Sequence, residues 1–203
     1  MKQIAFYFIL LTILCAASAI AQDAEWKLAK SENGVEIYTR DRADDDLREF
    51  KAVTVVEEDM AEVQKLLEDA ENYYTWQDNC QKSQIIERLD EHTIIGRYTS
   101  ETPWPFNDRD VVLKMTKRQH SGGEVEYLIE NAPDAYPKQD DFERIPRAGG
   151  KWKLKSLGDG KCEVLYQFYA DPGGNVPNWL VKMFIVQGPY NSFVRMKELL
   201  AEE

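Results

Sequence analysis

The chain has 203 residues, with 36 acidic against 25 basic side chains and a net charge of −11. That length suits one domain and can bury a sizeable core. The acidic balance excludes a nucleic-acid binder, which needs Lys and Arg to neutralise phosphates, and argues against tight electrostatic docking on anionic lipid.

The chain opens on Met1-Lys2, an apolar run from Ile4 to Leu14, and small-residue patterns at Ala17-Ser18-Ala19 and Ala19-Ile20-Ala21. This is the pattern of a secretory signal peptide over residues 1–21. The run falls short of the roughly 20 residues of a membrane span. A lipoprotein would need a small residue before Cys15, where Leu14 stands. Export predicts a periplasmic or secreted protein, with residues 22–203 as a single domain. Losing Lys2 takes the net charge from −11 to −12. Cys80 and Cys162 remain, either as a disulfide or as two buried thiols.

"NGVEIYTRD" reads as a turn at Asn33-Gly34 followed by a strand, and "REFKAVTVVEE" as a second strand. A helix follows over Asp59–Ala70, with Asp59 and Glu62 as a capping pair and Met60, Val63, Leu66, Leu67 and Ala70 as an apolar stripe. Three hairpins come next: Ser83–Leu89 with Thr93–Glu101, Arg109–Arg118 with Glu124–Asn131, and Gly150–Leu157 with Lys161–Ala170. Cys162, Val164, Tyr166, Phe168 and Ala170 share one face, while Trp152 and Leu154 oppose Lys151, Lys153 and Lys155. Val125, Tyr127 and Ile129 match Val111, Leu113 and Met115. Such alternation belongs to an antiparallel sheet with one side in water.

The last element is a broadly apolar helix, with Asn175 as cap and Pro177 in its first turn. Some 25 residues would make it roughly 37 Å long, and Gly188-Pro189 should bend it. The fold class is therefore α+β: two strands, a helix, six strands, and a long C-terminal helix against a curved antiparallel sheet. Such a pair leaves room for an apolar cleft, where small ligands bind.

Signals for catalysis are sparse. His92 and His120 fall on turns without metal-ligand spacing to another His or Cys. There is no Gly-x-Ser-x-Gly elbow or phosphate loop. The sequence thus suggests no metal, cofactor or catalytic group. Asp44-Asp45-Asp46 and Asp140-Asp141 read as solvated loops. Arg109 alternates with Val111 and Leu113 onto the apolar face. A buried guanidinium needs either an internal carboxylate, with Glu101 or Asp108 at hand, or the polar end of a ligand.

"PWPFNDRD" (Pro103–Asp110), "RAGGKW" (Arg147–Trp152) and "DPGGNVPNWL" (Asp171–Leu180), in this order of elements, resemble the START lipid-transfer domain of the helix-grip superfamily. The resemblance runs from Trp26 to Leu200. It implies a helix-grip fold and a nonenzymatic carrier or sensor of one hydrophobic molecule, a lipid, lying between the sheet and a C-terminal lid helix. Trp76 looks like the family's tryptophan after the first long helix. Arg109 and Asp110 match its Arg-Asp pair, and Asp171, Pro172, Gly173, Gly174, Pro177 and Trp179 match its approach to the lid. Lys182 stands where the family commonly has Asn, so a contact borrowed from that Asn does not carry over.

On this reading the strands contribute Arg109, Leu113, Tyr127, Trp152, Tyr166 and Phe168 to ligand binding. The loops and lid contribute Trp76, Trp104, Trp179, Leu180, Met183 and Phe184. Gly173-Gly174 would be the hinge, against the plainer alternative of a permanently docked helix. The expected partner is a hydrophobic small molecule held by a monomer that touches membranes only transiently. Two other readings stand beside it: an aromatase/cyclase-type enzyme on the same fold, and a module that binds another envelope protein.

Overall fold

The computed structural model describes residues 24–43, 45–173 and 176–202. The leader read at 1–21 and the hinge and cap residues Gly174 and Asn175 lie outside them. Ten strands form one sheet: β1 (Lys27–Glu32), β2 (Val35–Asp41), β3 (Arg48–Val56), β4 (Cys80–Arg88), β5 (Thr93–Ser100), β6 (Asp108–Gln119), β7 (Val125–Asn131), β8 (Phe142–Arg144), β9 (Ala148–Gly158) and β10 (Lys161–Ala170). Their order is β1-β2-β3-β10-β9-β7-β6-β5-β4, all antiparallel, with β8 added parallel to the start of β6.

Between β3 and β4 lie α1 (Met60–Glu68) and a 3-10 turn over Ala70–Thr75. Val63 and Leu67 of α1 are fully buried, as its apolar stripe requires. Asp59 occupies the N-cap position, but its side chain makes no capping bond; its backbone carbonyl accepts from the amide of Glu62. The far end of α1 is pinned by Glu68, which accepts from Lys117 Nζ at 2.6 Å and from the Tyr127 hydroxyl at 2.8 Å.

The C-terminal helix has three parts: α2 (Asn178–Lys182), a π-helical turn (Met183–Gln187) and α3 (Gly188–Ala201). The break lies where Gly188-Pro189 predicts it, and it takes the form of a wide turn just ahead of that pair. Pro189 sits in the first turn of α3, where its missing N–H removes no helical bond. α3 packs against β2 and β3 and buries Phe193, Met196 and Leu200. The Tyr190 hydroxyl accepts from Asn33 Nδ2 at 2.7 Å, and Lys197 Nζ donates to the Asn33 carbonyl at 3.0 Å, which fastens α3 to the β1–β2 turn.

The outer face of the sheet carries a buried charge network. Asp110, 1% exposed, accepts from Arg97 Nε at 2.7 Å and from Arg144 Nε and Nη2 at 2.8 and 2.9 Å. Arg144 belongs to β8, and its guanidinium also donates to the carbonyls of Pro133 and Tyr136. The short parallel strand is therefore held on by this ion pair as well as by its ladder. Cys80 and Cys162 are free thiols, and burial pushes each up to about 11.

Candidate functional site

The pleat of β10, β9, β6 and β5 sends every second side chain inward, and α3 covers only part of that concave face. Beside it, under α2 and the π turn, lies a hollow of about 210 Å³. Its sheet side is built from Phe50 on β3, Tyr166 and Phe168 on β10, Trp152 on β9, Val111 and Leu113 on β6, and Tyr98 on β5. Val181, Phe184, Ile185 and Pro189 form the roof. The aromatic wall is close-packed: Trp152 and Tyr166 stack at 3.8 Å with planes 1° apart, and Phe50 meets Tyr166 edge-on at 5.1 Å. A smaller cavity of about 30 Å³ lies beside it, lined by Tyr73, Met115 and Ile129 and sharing Gln77, Tyr98, Leu113, Trp152 and Tyr166 with the main hollow.

Polar groups gather at two places on the hollow's boundary. On one side Gln77, Asp78 and Asn79 face the start of α3. The Asp78 amide donates to Ser192 Oγ at 2.9 Å, and Asn191 Nδ2 donates to the Asp78 carboxylate at 3.1 Å, so this loop latches α3 in place. On the other side stands Arg109, 5% exposed. Its Nε donates to the Pro172 carbonyl at 3.3 Å and its Nη1 to the Asn107 carbonyl at 2.5 Å. Among the described residues it has no carboxylate partner. The internal salt bridge expected with Glu101 or Asp108 is not made; Asp108 instead accepts from the Thr102 amide. The sheet is braced by Asp110 on the opposite face.

The roof is tethered unevenly. From Val176 to Val186 no described side chain makes a hydrogen bond or an ion pair, whereas α3 has the bonds at Tyr190, Asn191, Ser192 and Lys197 given above. Ahead of the roof, Gly173 holds φ +68°, a left-handed backbone that other residues resist.

Of the residues singled out from sequence, Arg109, Leu113, Trp152, Tyr166, Phe168 and Phe184 line the hollow. Trp76 and Tyr127 are instead core: Trp76 is edge-on to Trp152 at 6.0 Å, and Tyr127 is committed to Glu68. Trp104 is 92% exposed and Trp179 is 53% exposed, so both face outward. Trp179 precedes the fully buried Leu180, and neighbours on a helix point about 100° apart. Leu180 is buried without lining the hollow. Met183 does not line it either, because the π turn it opens shifts the helical register and brings Phe184 and Ile185 inward.

Sequence reasoning missed Phe50, Tyr98, Val111, Ile145, Ile185 and the Gln77–Asn79 loop. Alternation along the strands predicted carried enough signal for the first three. Nothing in the sequence marked the loop. Among the described residues, no group of three His, Cys, Asp or Glu side chains could hold a metal ion, and no helix is long and apolar enough to cross a membrane.

Several known proteins resemble this chain. The START domain family model matches residues 15–203. An uncharacterized protein of Pseudomonas aeruginosa is 32% identical over 90% of this chain and 92% of its own length. The crystal structure of a STAR-related lipid transfer protein fragment from Xanthomonas axonopodis superposes with a TM-score of 0.78 at 30% identity, covering 87% of this chain and 98% of that one. An aromatase/cyclase from Streptomyces superposes at 0.50 with 12% identity over 77% of this chain and 93% of that one, a likeness of fold alone.

Proposed function

Because this chain belongs to the START domain family, we propose that it is an exported, nonenzymatic carrier that holds one lipid-like molecule in the hollow between sheet and roof. The observation that carries this reading is Arg109: a buried guanidinium with donors left over, set in the wall of an otherwise mostly apolar hollow. Leaving such a group unpaired is costly. A ligand whose anionic or polar end meets Arg109, and whose apolar body lies along Trp152, Tyr166 and Phe168, satisfies both. A cyclase would need a free general base in the wall. The carboxylate there, Asp78, is occupied by Asn191 and Asn79.

At about 210 Å³ the hollow is smaller than the ~300–1,000 Å³ of ordinary ligand pockets, so uptake requires the roof to lift. The moving part is α2 with the π turn, which lacks side-chain tethers among the described residues, while α3 stays latched. Trp104 and Trp179 belong to the two segments that meet at Arg109, which bonds the Pro172 carbonyl and lies 5.9 Å from the Phe106 ring. Exposed tryptophans favour the membrane interface. They give an acidic protein a way to touch a bilayer without relying on charge.

The test is lipid transfer between donor and acceptor vesicles of phosphatidylcholine. Replacing both Trp104 and Trp179 with Ala should slow transfer several-fold while leaving stability within about 0.5 kcal/mol, the usual range for exposed positions. Unchanged transfer, or transfer lost only together with the fold, would remove these residues from membrane contact. No transfer by the native protein would count against the carrier reading itself.

A further inference from the structure

Five side chains line both the main hollow and the smaller cavity beside it, and among them are the polar Gln77, Tyr98 and Tyr166. The Gln77 amide and the two tyrosine hydroxyls have no hydrogen-bond partner among the described residues. Each keeps some accessible surface, unlike the sealed Trp76 Nε1 in the core. Tyr98 reaches this point by lying flat along its own strand: a Cβ at Gly96 would stand 2.5 Å from its hydroxyl. Gly96 pairs with Leu113, four residues beyond Arg109 on β6, or roughly 13 Å of strand. The polar set therefore sits well inside the apolar body of the hollow, apart from Arg109. Burial pushes both tyrosine hydroxyls well above their ordinary pKa, so each is a neutral O–H able to donate as well as accept.

Resting on the reading of the hollow as a lipid site, we propose that its ligand is an amphiphile with a second oxygen function, a hydroxyl or a carbonyl, midway along its apolar body, bound by Gln77, Tyr98 and Tyr166. A plain alkyl chain would leave three desolvated polar groups unmet, which is the arrangement that discriminates against analogues lacking the oxygen.

Oleic and ricinoleic acids differ by one mid-chain hydroxyl and are the probes, titrated into the purified protein by calorimetry. Ricinoleic acid should bind about tenfold more tightly, the equivalent of one well-made hydrogen bond in place of an unsatisfied group. Tyr98→Phe, Tyr166→Phe and Gln77→Leu should each shrink that preference, by weakening ricinoleic acid, by tightening oleic acid as an unmet polar group is removed, or both. Equal binding of the two acids by the native protein overturns the proposal, because water then satisfies the three groups. A preference that survives all three substitutions overturns it as well. If neither acid binds, the lipid reading of the hollow falls and the proposal falls with it.

Discussion

Replacing Asp110 with Asn will cost the fold about 3–5 kcal/mol, the penalty for leaving one side of a buried ion pair uncompensated. Arg97 and Arg144 are each 8% exposed or less and converge on this carboxylate from β5 and β8. With a neutral amide in its place, two buried guanidinium charges remain with no negative charge between them. Denaturant melts will show the loss, and the 132–147 segment should exchange its amides first, since Arg144 holds it to β6. A pH dependence follows. Burial alone would raise the Asp110 pKa, but the hydrogen bonds and charges of Arg144 and Arg97 outweigh it, and the carboxyl lies below its ordinary value. A group depressed in the folded state stabilises fully above its unfolded pKa, about 3.9 for Asp. That contribution is lost as pH falls below this value toward the folded one. The native protein should therefore lose stability on acidification, and the variant should lose less over the same range. Equal acid sensitivity in both would mean that Asp110 does not carry the charge linkage.

The second large effect is at Trp152. Its ring is 1% exposed, stacks on Tyr166 at 3.8 Å and on Phe193 at 5.8 Å, and meets Trp76 at 6.0 Å. It joins β9, β10 and α3 at one point and is also a wall of the hollow. Trp152→Ala should cost about 3–5 kcal/mol, as large-to-small changes of buried aromatics do. For a domain of this size, each kcal/mol lowers the melting temperature by about 2–4 °C. Because the deletion merges with an existing hollow, an apolar ligand that fills the gap should restore part of the loss. A variant that melts like the native protein would place Trp152 outside the core contacts described here.

The contrast between these residues shows what the sequence could reveal. Trp152 was legible because it alternates with lysines on β9, and one exposed face of an antiparallel sheet imposes that pattern. The same logic placed Tyr166, Phe168, Leu113 and Arg109 on the concave side. β1 escaped notice because it is an edge strand, mostly exposed and interrupted by a bulge between Leu28 and Lys30, so no alternation marks it. β8 is three residues long and exists through Arg144 and Asp110, a pairing 34 residues apart in sequence. Trp104 lies in a proline-bracketed loop, where no period says which way a side chain points. In the lid, an ideal helical period put Met183 and Phe184 inward; the π turn keeps Phe184 there and brings in Ile185 in place of Met183.

A carrier function requires that the hollow hold a ligand. The direct measurement is gentle native mass spectrometry of the protein purified from producing cells, compared with Val111→Trp, which places an indole in the hollow from β6. The native chain should carry one hydrophobic molecule, recoverable by organic extraction. The variant should stay folded by circular dichroism and carry none. An empty native chain that remains empty after incubation with lipid vesicles, or a variant that retains the same molecule in the same amount, would contradict it.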